Sequence, residues 1–210
     1  MVSPQIEFIY IIRCFVKPVK SFWKTDNKIL DYREKMLYNG WWVINMNEIK
    51  VFSLPKYREI PDVGLFLEQT TKYISGVISP LCGITITSSM ISNYVKKKLI
   101  ANPVKKQYSR GQIAYLIFIA IAKSVLSLEH IQTLIEMQKA SYTEEEAYAY
   151  FCEELQNVLR VSFGIEREYR KIGVHNSEQK NILRNTIIAV ANKIYLEKVL
   201  SEWTNENTEE

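Results

Sequence analysis

The sequence predicts a mainly α-helical protein, and three observations lead to this prediction. The 210 residues include only seven glycines and six prolines, so long segments contain no turn signal. Apolar residues make up 47% of the chain and recur in several segments at the three-to-four-residue spacing of an amphipathic helix. A Ser or Thr that can cap a helix precedes four of these segments. We therefore expect helices around a sizeable core.

Charge is unevenly distributed along the chain. Residues 69–128 contain no Asp or Glu, whereas residues 1–68 sum to +2 and residues 129–210 sum to −6. The formal net charge of +4 therefore hides a strongly basic middle. Such an imbalance is typical of a protein with one surface for nucleic acid and a separate body. The basic residues of the acid-free segment are Lys72, Lys96, Lys97, Lys98, Lys105, Lys106, Arg110 and Lys123.

The first 61 residues match neither helical nor strand periodicity and are predicted to form an N-terminal extension. Met46 is a second plausible start, and Pro55 and Pro61 after it favour an extended arm. We hypothesise that residues 1–45 are peripheral to the fold and are not translated in the cell. The alternative is an ordinary extension that packs on the body.

The cysteines and the apolar runs indicate a cytoplasmic protein without a membrane span. Cys14, Cys82 and Cys152 are isolated from one another, which argues against a disulfide framework and a zinc site. The apolar runs at residues 6–16 and 113–122 are too short or too charged to cross a bilayer. The sequence contains no catalytic motif, metal-spaced cluster or phosphate loop. We therefore expect a protein that is not an enzyme and needs no cofactor.

Two helices are predicted between residues 62 and 100. Asp62 can cap the first, and Gly76 ends it. Thr87 can cap the second, which spans Ser88–Lys98. The residues expected to face the core are Val63, Phe66, Leu67 and Ile74 on the first helix and Ile91, Tyr94, Val95 and Leu99 on the second.

The opposite face of the second helix is polar and is followed by lysines. Short hydroxyl and amide side chains can reach base edges or phosphates, Asn can pair with adenine, and Lys attracts phosphate regardless of sequence. A solvated helix face without a ligand is the alternative, and the acid-free context favours DNA contact. The polar residues of this face are Ser89, Ser92, Asn93 and Lys96.

Residues 101–140 are predicted to form a short wing followed by two capped helices. Pro103 ends the preceding helix, and the segment VKKQY after it alternates like a hairpin arm. Ser109 with Gln112 forms a capping box for a helix that is apolar on almost every side and should be the most buried element. Ser127 caps the next helix. Its apolar stripe is Ile131, Leu134 and Ile135.

The order of these elements resembles that of the MerR-like winged-helix regulators. Asn93 and Tyr94 lie where that family has paired Tyr residues, and residues 98–100 lie where it has a Gly-Leu-Leu turn. Tyr108-Ser109 lies where the wing closes, and LSLEHI matches the later SLEEI helix start. The resemblance implies a helix-turn-helix or winged-helix DNA-binding domain and a transcription regulator that reads the major groove.

A more specific resemblance is to the bacterial domain-of-unknown-function 1836 family. The segment MISNYVKKKLIANPVKKQYSRGQIAYLI, followed by LSLEHI, looks like that family, and the match covers roughly residues 60–160. The DNA-binding domain is therefore predicted over residues 62–140.

The chain departs from the MerR-like pattern at several positions. Ser92 stands where recognition helices usually have Arg, Lys98 replaces the turn Gly, and the wing is short. The connection from Gly76 to Ile86 is also longer than a tight helix-turn-helix turn. Phosphate contacts would then come from the lysines and Arg110. The predicted DNA-contacting residues are Ser89, Ser92, Asn93, Tyr94, Lys96, Lys97, Lys105, Lys106, Tyr108 and Arg110.

Residues 141–205 are predicted to form a C-terminal helical body, and residues 206–210 a disordered tail. Thr143 with Glu146 is a capping box for a helix with a continuous apolar stripe. Cys152 lies on this stripe and is interpreted as a core residue and not a reactive thiol. The stripe is Tyr148, Phe151, Cys152, Leu155, Val158 and Leu159.

A last helix is predicted from Asn176 to about Trp203, with two apolar faces. We hypothesise that one face contacts a second subunit, because a homodimer lets a DNA reader span two half-sites. Double-stranded DNA and a second copy are thus the expected partners. Whether the C-terminal body binds a small-molecule effector stays an open question, since no residue identifies a ligand. The alternative function is a non-enzymatic helical protein-interaction module without a DNA target. The two faces are Leu183, Ile187, Val190 and Ile194, and Ile182, Ala189 and Leu196.

Overall fold

The computed structural model describes residues 46–173 and 177–206, and these residues are mainly helical. The predictions for residues 1–45, for Asn176 and for the tail from residue 207 fall outside the described residues. The elements are α1 (Met46–Val51), a 3-10 turn (Tyr57–Glu59), β1 (Leu65–Phe66), α2 (Leu67–Ile78), α3 (Ser88–Lys96), β2 (Gln107–Tyr108), α4 (Arg110–Ala122), α5 (Leu128–Lys139), α6 (Glu144–Ser162) and α7 (Glu178–Glu206).

The helix α4 is central to the core. Nine of its 13 residues are buried, because this segment is apolar around its whole circumference. The Ser109 side chain accepts a hydrogen bond from the Gln112 N–H, and Gln112 Oε1 accepts one from the Ser109 N–H, at 3.4 and 2.9 Å. The predicted capping box and the predicted burial are both confirmed.

Three more of the predicted caps, all of them Ser or Thr, are also present. The side-chain oxygens of Thr87, Ser127 and Thr143 accept hydrogen bonds from the backbone N–H three residues on, at 3.2, 3.3 and 3.3 Å. Each bond satisfies one of the donors that the first helical turn leaves unpaired. The sequence therefore placed the starts of α3, α5 and α6 correctly.

The first helix after residue 62 begins later than the sequence indicated. Asp62 does not cap it, and α2 starts at Leu67. Gly64, at φ +75°, immediately precedes β1, which pairs antiparallel with β2. Val63 and Phe66 were predicted to face the core, but they are 82% and 50% exposed. Pairing with a strand about forty residues away thus overrides the local cap signal.

Gly76 was predicted to end this helix and does not. The helix α2 continues to Ile78, because Ile74 and Ile78 on either side of Gly76 are buried and fix the helix to the core. An interior glycine lowers the stability of a helix by only about 1 kcal/mol relative to Ala, and the burial of the two isoleucines outweighs this loss. Residues 79–87 then connect α2 to α3, which ends at Lys96 and not at Lys98.

Residues 46–61 pack into the core and do not form a projecting arm. The segment after α1 stays non-helical as far as residue 56, as Pro55 predicts. It nevertheless buries Phe52, Leu54 and Ile60, none of them more than 6% exposed. The side chain of Gln156 on α6 donates a hydrogen bond to the Phe52 carbonyl at 3.2 Å.

The helices α4, α6 and α7 run parallel. Gly111 at the start of α4 lies beside the start of α6, and the Phe118 and Phe151 rings further along meet edge to face, 5.2 Å apart. Between α6 and α7, Lys180 lies near Tyr150 and the Phe163 ring lies 5.4 Å from that of Tyr195. Both sets of contacts advance in the same chain direction. The N-terminal ends of the three helices therefore lie at the same end of the core.

The stripe of α6 and one face of α7 are buried as predicted. Burial raises the pKa of the Cys152 thiol to about 12, so this thiol stays protonated at neutral pH, as expected of a core residue. On the other face of α7, Ile182, Leu196 and Leu200 are 37%, 43% and 58% exposed. The last helix thus has one buried and one exposed apolar face.

Candidate nucleic-acid interface

The outer face of α3 is polar and exposed, as its spacing predicted. Ser89, Ser92, Asn93 and Lys96 are exposed, while Ile91 on the inner face is fully buried. The Ser92 hydroxyl donates to the Ser88 carbonyl at 2.9 Å, so its oxygen still has a free lone pair toward the solvent side. The side chains of Thr71 and Ser88 lie 2.9 Å apart and join α2 to α3.

The C-terminal end of α3 is closed by a lysine in a left-handed conformation. The Leu99 N–H donates to the Tyr94 carbonyl and the Lys98 N–H to the Val95 carbonyl, at 3.0 and 2.9 Å. This pair of bonds is the Schellman motif, in which the residue before the last donor usually is glycine. Here that residue is Lys98, with φ of 60° and an exposed side chain. Position 98 therefore has the backbone that favours glycine, although its residue is lysine.

Two more lysines with positive φ form a tight turn in the segment that was predicted to be a wing. Lys105 and Lys106 have φ of 50° and 65°, and the Gln107 N–H donates to the Val104 carbonyl at 2.9 Å. Positive φ at both central residues is typical of a type I′ turn, which favours Asn-Gly. Both lysines are exposed. They follow Lys98 within eight residues, so the two groups lie at most about 28 Å apart.

The wing is held by contacts at its base. In the antiparallel pair, Leu65 lies opposite Tyr108 and Phe66 opposite Gln107. The side chain of Gln112, in the first turn of α4, donates to the Ala101 carbonyl at 2.8 Å. The lysine turn is therefore fixed to the start of the central helix.

Of the predicted contact residues, two are buried and a third is engaged within the protein. Tyr94 and Tyr108 are 0% and 4% exposed, and burial raises the pKa of Tyr94 to about 12. Arg110 is half buried: its Nε donates to the Ile60 carbonyl at 3.0 Å, and its Nη1 lies 3.5 Å from an Asp62 oxygen. Tyr94 and Tyr108 therefore face the core, and Arg110 is held by the segment before α2.

The positive charge of Lys97 is partly balanced, since its ammonium lies 3.7 Å from a carboxylate oxygen of Glu129 on α5. The exposed residues that remain define what we term the basic face: Ser89, Ser92, Asn93, Lys96, Lys97, Lys98, Lys105 and Lys106. Lys98 was not in the predicted contact set, although its place at the glycine position of the turn was a usable signal. In the described part of the chain, no carboxylate lies within ion-pair distance of Lys96, Lys98, Lys105 or Lys106.

Two other kinds of site are not found among the described residues. No group of three or more His, Cys, Asp or Glu side chains there is arranged to hold a metal ion. No helix in the same ranges has the length and apolar character needed to cross a membrane.

Comparison with known proteins gives one match. Residues 55–156, just under half of the chain, match the family model described as Domain of unknown function (DUF1836). No curated protein and no solved structure matches the chain. The matched range extends from the segment before the 3-10 turn into α6 and includes the whole basic face. It supports the resemblance to this family that the sequence suggested.

Proposed function

We propose that this chain, through the region that matches a domain of unknown function, is a DNA-binding transcription regulator. In this proposal the outer face of α3 enters the major groove and the lysine turn of the wing contacts phosphates. The observation that supports it most strongly is the backbone of three lysines. Among the described residues, every non-glycine residue with positive φ is a lysine of the basic face.

The left-handed conformation is unfavourable for lysine. Its Cβ approaches the neighbouring carbonyl, which costs about 1 kcal/mol at each position relative to glycine. Gly at position 98 and Asn-Gly at positions 105 and 106 would remove this strain. Strain that persists on an exposed surface points to a function for the side chain. Each of these side chains has a positive charge, and a polyanion is the ligand that binds several exposed ammonium groups at once.

The remaining residues of the basic face provide the means to read sequence. Asn93 can form two hydrogen bonds with adenine, and Ser89 can bond to several bases. Both are on the exposed face of a helix narrow enough for the major groove. The helices α2, α3 and α4, with the lysine turn between α3 and α4, follow one another in the order on which the MerR-like resemblance was based, and this order supports the proposal.

A second copy of the chain is the partner that we propose for α7. Ile182, Ala189 and Leu196 recur every seven residues on its exposed face, and Leu200 lies one turn after the last. A two-fold pairing buries the same stripe on both copies. It would also present two basic faces to successive half-sites. We expect Leu196→Glu to convert a dimer into a monomer in light scattering at micromolar concentration; a wild-type monomer would contradict this.

The test of DNA binding is selection of bound duplexes from a random library, followed by titration of the selected duplex. Lys96→Ala and Lys105→Ala should weaken binding to every duplex and lower the salt slope by about one each. Asn93→Ala should change the preferred sequence. Lys171→Ala is the matched control, because Lys171 is an exposed lysine outside the basic face.

The proposal fails if the wild-type protein does not bind duplexes at low salt, or if Lys171→Ala weakens binding as much as Lys96→Ala. Equal loss on all sequences for Asn93→Ala would restrict that residue to backbone contact. Displacement of a bound protein partner by an unlabelled duplex would separate DNA binding from the protein-interaction alternative, since salt weakens both.

A further inference from the structure

The small sheet has one face toward the core and one toward solvent. Leu65 and Tyr108, which lie opposite each other, pack into the core. The next pair, Phe66 and Gln107, points the other way, because successive residues of a strand alternate between the two faces. Val104 pairs with Gln107 across the lysine turn, so its side chain is on the same face as that of Gln107. Phe66, Gln107 and Val104 form what we term the outer row.

The two ends of the outer row are exposed apolar side chains. Phe66 is 50% exposed and Val104 is 74% exposed. Neighbouring strands lie about 4.8 Å apart, so the row spans about 10 Å. A protein interface of ordinary size buries about 1,200–2,000 Å². Three side chains cover far less, so the row is too small to hold a folded protein partner by itself.

The middle of the outer row is an amide without a partner. Within residues 46–173 and 177–206, the Gln107 side chain forms no hydrogen bond. Gly64 leaves space for it, because a Cβ at Gly64 would lie 3.1 Å from Gln107 Cβ and 3.3 Å from its Oε1. Oε1 can accept a hydrogen bond and Nε2 can donate one. The amide is therefore available to a ligand that approaches the outer face of the sheet.

Positive charge lies at the Val104 end of the outer row. Lys105 and Lys106 follow Val104 directly, are exposed, and have no acidic partner in the part of the chain that the structure describes. At the other end, Glu68 follows Phe66 by two residues and is also exposed. Two lysines against one glutamate leave the surroundings of the row positive, which favours a polyanion.

These features together match a DNA minor groove. The groove is about 6 Å wide, which is less than the width of the row, so only the middle side chain can reach the base edges. Proteins read these edges with amide or basic side chains and place apolar side chains beside them. The walls of the groove are deoxyribose, which apolar side chains can contact, and phosphates at its rims attract lysines.

We infer that the outer row contacts the minor groove of the duplex. Gln107 bonds to base edges, and Phe66 and Val104 pack against deoxyribose on the two walls. The inference rests on the proposed DNA binding and goes beyond it, since it adds a second place at which sequence is read. It also gives the complex a contact that does not weaken with salt, because burial of apolar side chains releases no counterions.

The test uses the full chain and the duplex selected from the random library. At each pair of the site, affinity is compared for G·C and inosine·C, which differ only by the guanine amino group in the minor groove. Gln107→Met removes the amide and keeps the chain length, and Phe66→Thr combined with Val104→Thr removes the apolar ends. Val104→Thr alone replaces the double variant if that protein does not melt cooperatively. Val51→Thr is the matched control, because Val51 is 81% exposed and lies on α1.

At one or more pairs, the wild-type affinity for the two duplexes should differ about tenfold, and Gln107→Met should remove the difference. The double threonine variant should bind about tenfold less tightly at every salt concentration, with an unchanged salt slope. Lys105→Ala, by contrast, should lower the slope by about one. Val51→Thr should change neither the affinity nor the slope.

The inference is overturned, and the proposed DNA binding stands, if the wild-type protein binds the selected duplex but distinguishes G·C from inosine·C at no pair. The same holds if Gln107→Met keeps the difference, or if the threonine variant binds no more weakly than Val51→Thr. Absence of duplex binding by the wild-type protein at low salt contradicts both. Binding of the wild-type protein, but not of the threonine variant, to phosphatidylcholine–phosphatidylserine vesicles would assign the outer row to a membrane surface instead.

Discussion

Two runs of three like charges, Lys96–Lys98 at the end of α3 and Glu144–Glu146 at the start of α6, have opposite structural roles. Both are placed where the helix dipole favours their sign. The glutamates are paired within the protein. Of the lysines, only Lys97 has a carboxylate of the described residues near it, at 3.7 Å.

Each glutamate has its own partner. The Glu144 carboxylate accepts a hydrogen bond from Tyr57, and that of Glu145 lies 2.9 Å from Arg58 Nε. The hydrogen bond from the Thr143 hydroxyl, together with the bond from its N–H, lowers the pKa of Glu146. A charge run therefore points to an external ligand only where the tertiary structure leaves it without a partner.

The largest expected effect comes from a charge pair more buried than either run. Glu154 on α6 is 1% exposed and lies 3.1 Å from Arg184 Nε on α7. Arg184→Met leaves the carboxylate without this partner, and we expect a loss of about 3 kcal/mol of unfolding free energy at neutral pH. Urea unfolding measures it, and adding Glu154→Gln should recover most of the loss. Equal loss in the double variant would assign it to the packing of Arg184 on Tyr169.

The pH dependence of that loss has a defined sign. Burial raises the pKa of Glu154 from its ordinary value of 4.5, and Arg184 opposes the rise. Without Arg184 the folded-state pKa is higher still. The Arg184→Met deficit should thus be complete above that pKa and shrink as the pH falls toward 4.5, where both proteins hold a neutral carboxyl group.

The second-largest effect is expected at the exposed lysines of the wing turn. Replacing Lys105 by Asn and Lys106 by Gly should stabilise the protein by about 1–2 kcal/mol, because the turn then has the residues that its backbone favours. The same variant should bind duplex DNA about tenfold less tightly, with a salt slope lower by about two. The double alanine variant removes the charges without relieving the backbone, so it should lose affinity and gain no stability. Stabilisation without loss of affinity would contradict the proposed role of the wing.

A smaller effect on stability is expected when the N-cap that precedes the three glutamates is removed. Thr143→Ala removes the N-cap of α6 and should cost about 1 kcal/mol in thermal or urea unfolding. Because the Thr143 hydroxyl is the main cause of the lowered Glu146 pKa, this pKa should rise in an NMR titration. Duplex affinity should not change, in contrast to the wing variant.

The smallest effect should come from the exposed pair Arg58–Glu145, whose side chains are 82% and 48% exposed. Arg58→Ala should change the unfolding free energy by less than about 0.5 kcal/mol, since solvent screens such pairs. Lys96→Ala should change the unfolding free energy equally little and yet weaken duplex binding. A stability change at Lys96 would show that this lysine has a partner in the fold.

Local signals account for most of what could be predicted from the sequence. The caps at Thr87, Ser109, Ser127 and Thr143 act within three residues, and the apolar circumference of α4 depends only on its own composition. The start of α2 could not be predicted in this way. Gly64 and pairing with β2 moved it from Asp62 to Leu67, and neither effect is visible in the local pattern.

The sequence by itself determined the helical character, the order of the helices, the exposed polar face of α3 and the concentration of positive charge in the middle of the chain. Only the tertiary structure decided which charges are paired, since partners such as Tyr57 and Glu144 are 87 residues apart. It also gave Lys98, Lys105 and Lys106 their positive φ. The physical reason is range: capping and periodicity act within a turn or two of helix, whereas ion pairs, strand pairing and cavities depend on segments that only folding brings together.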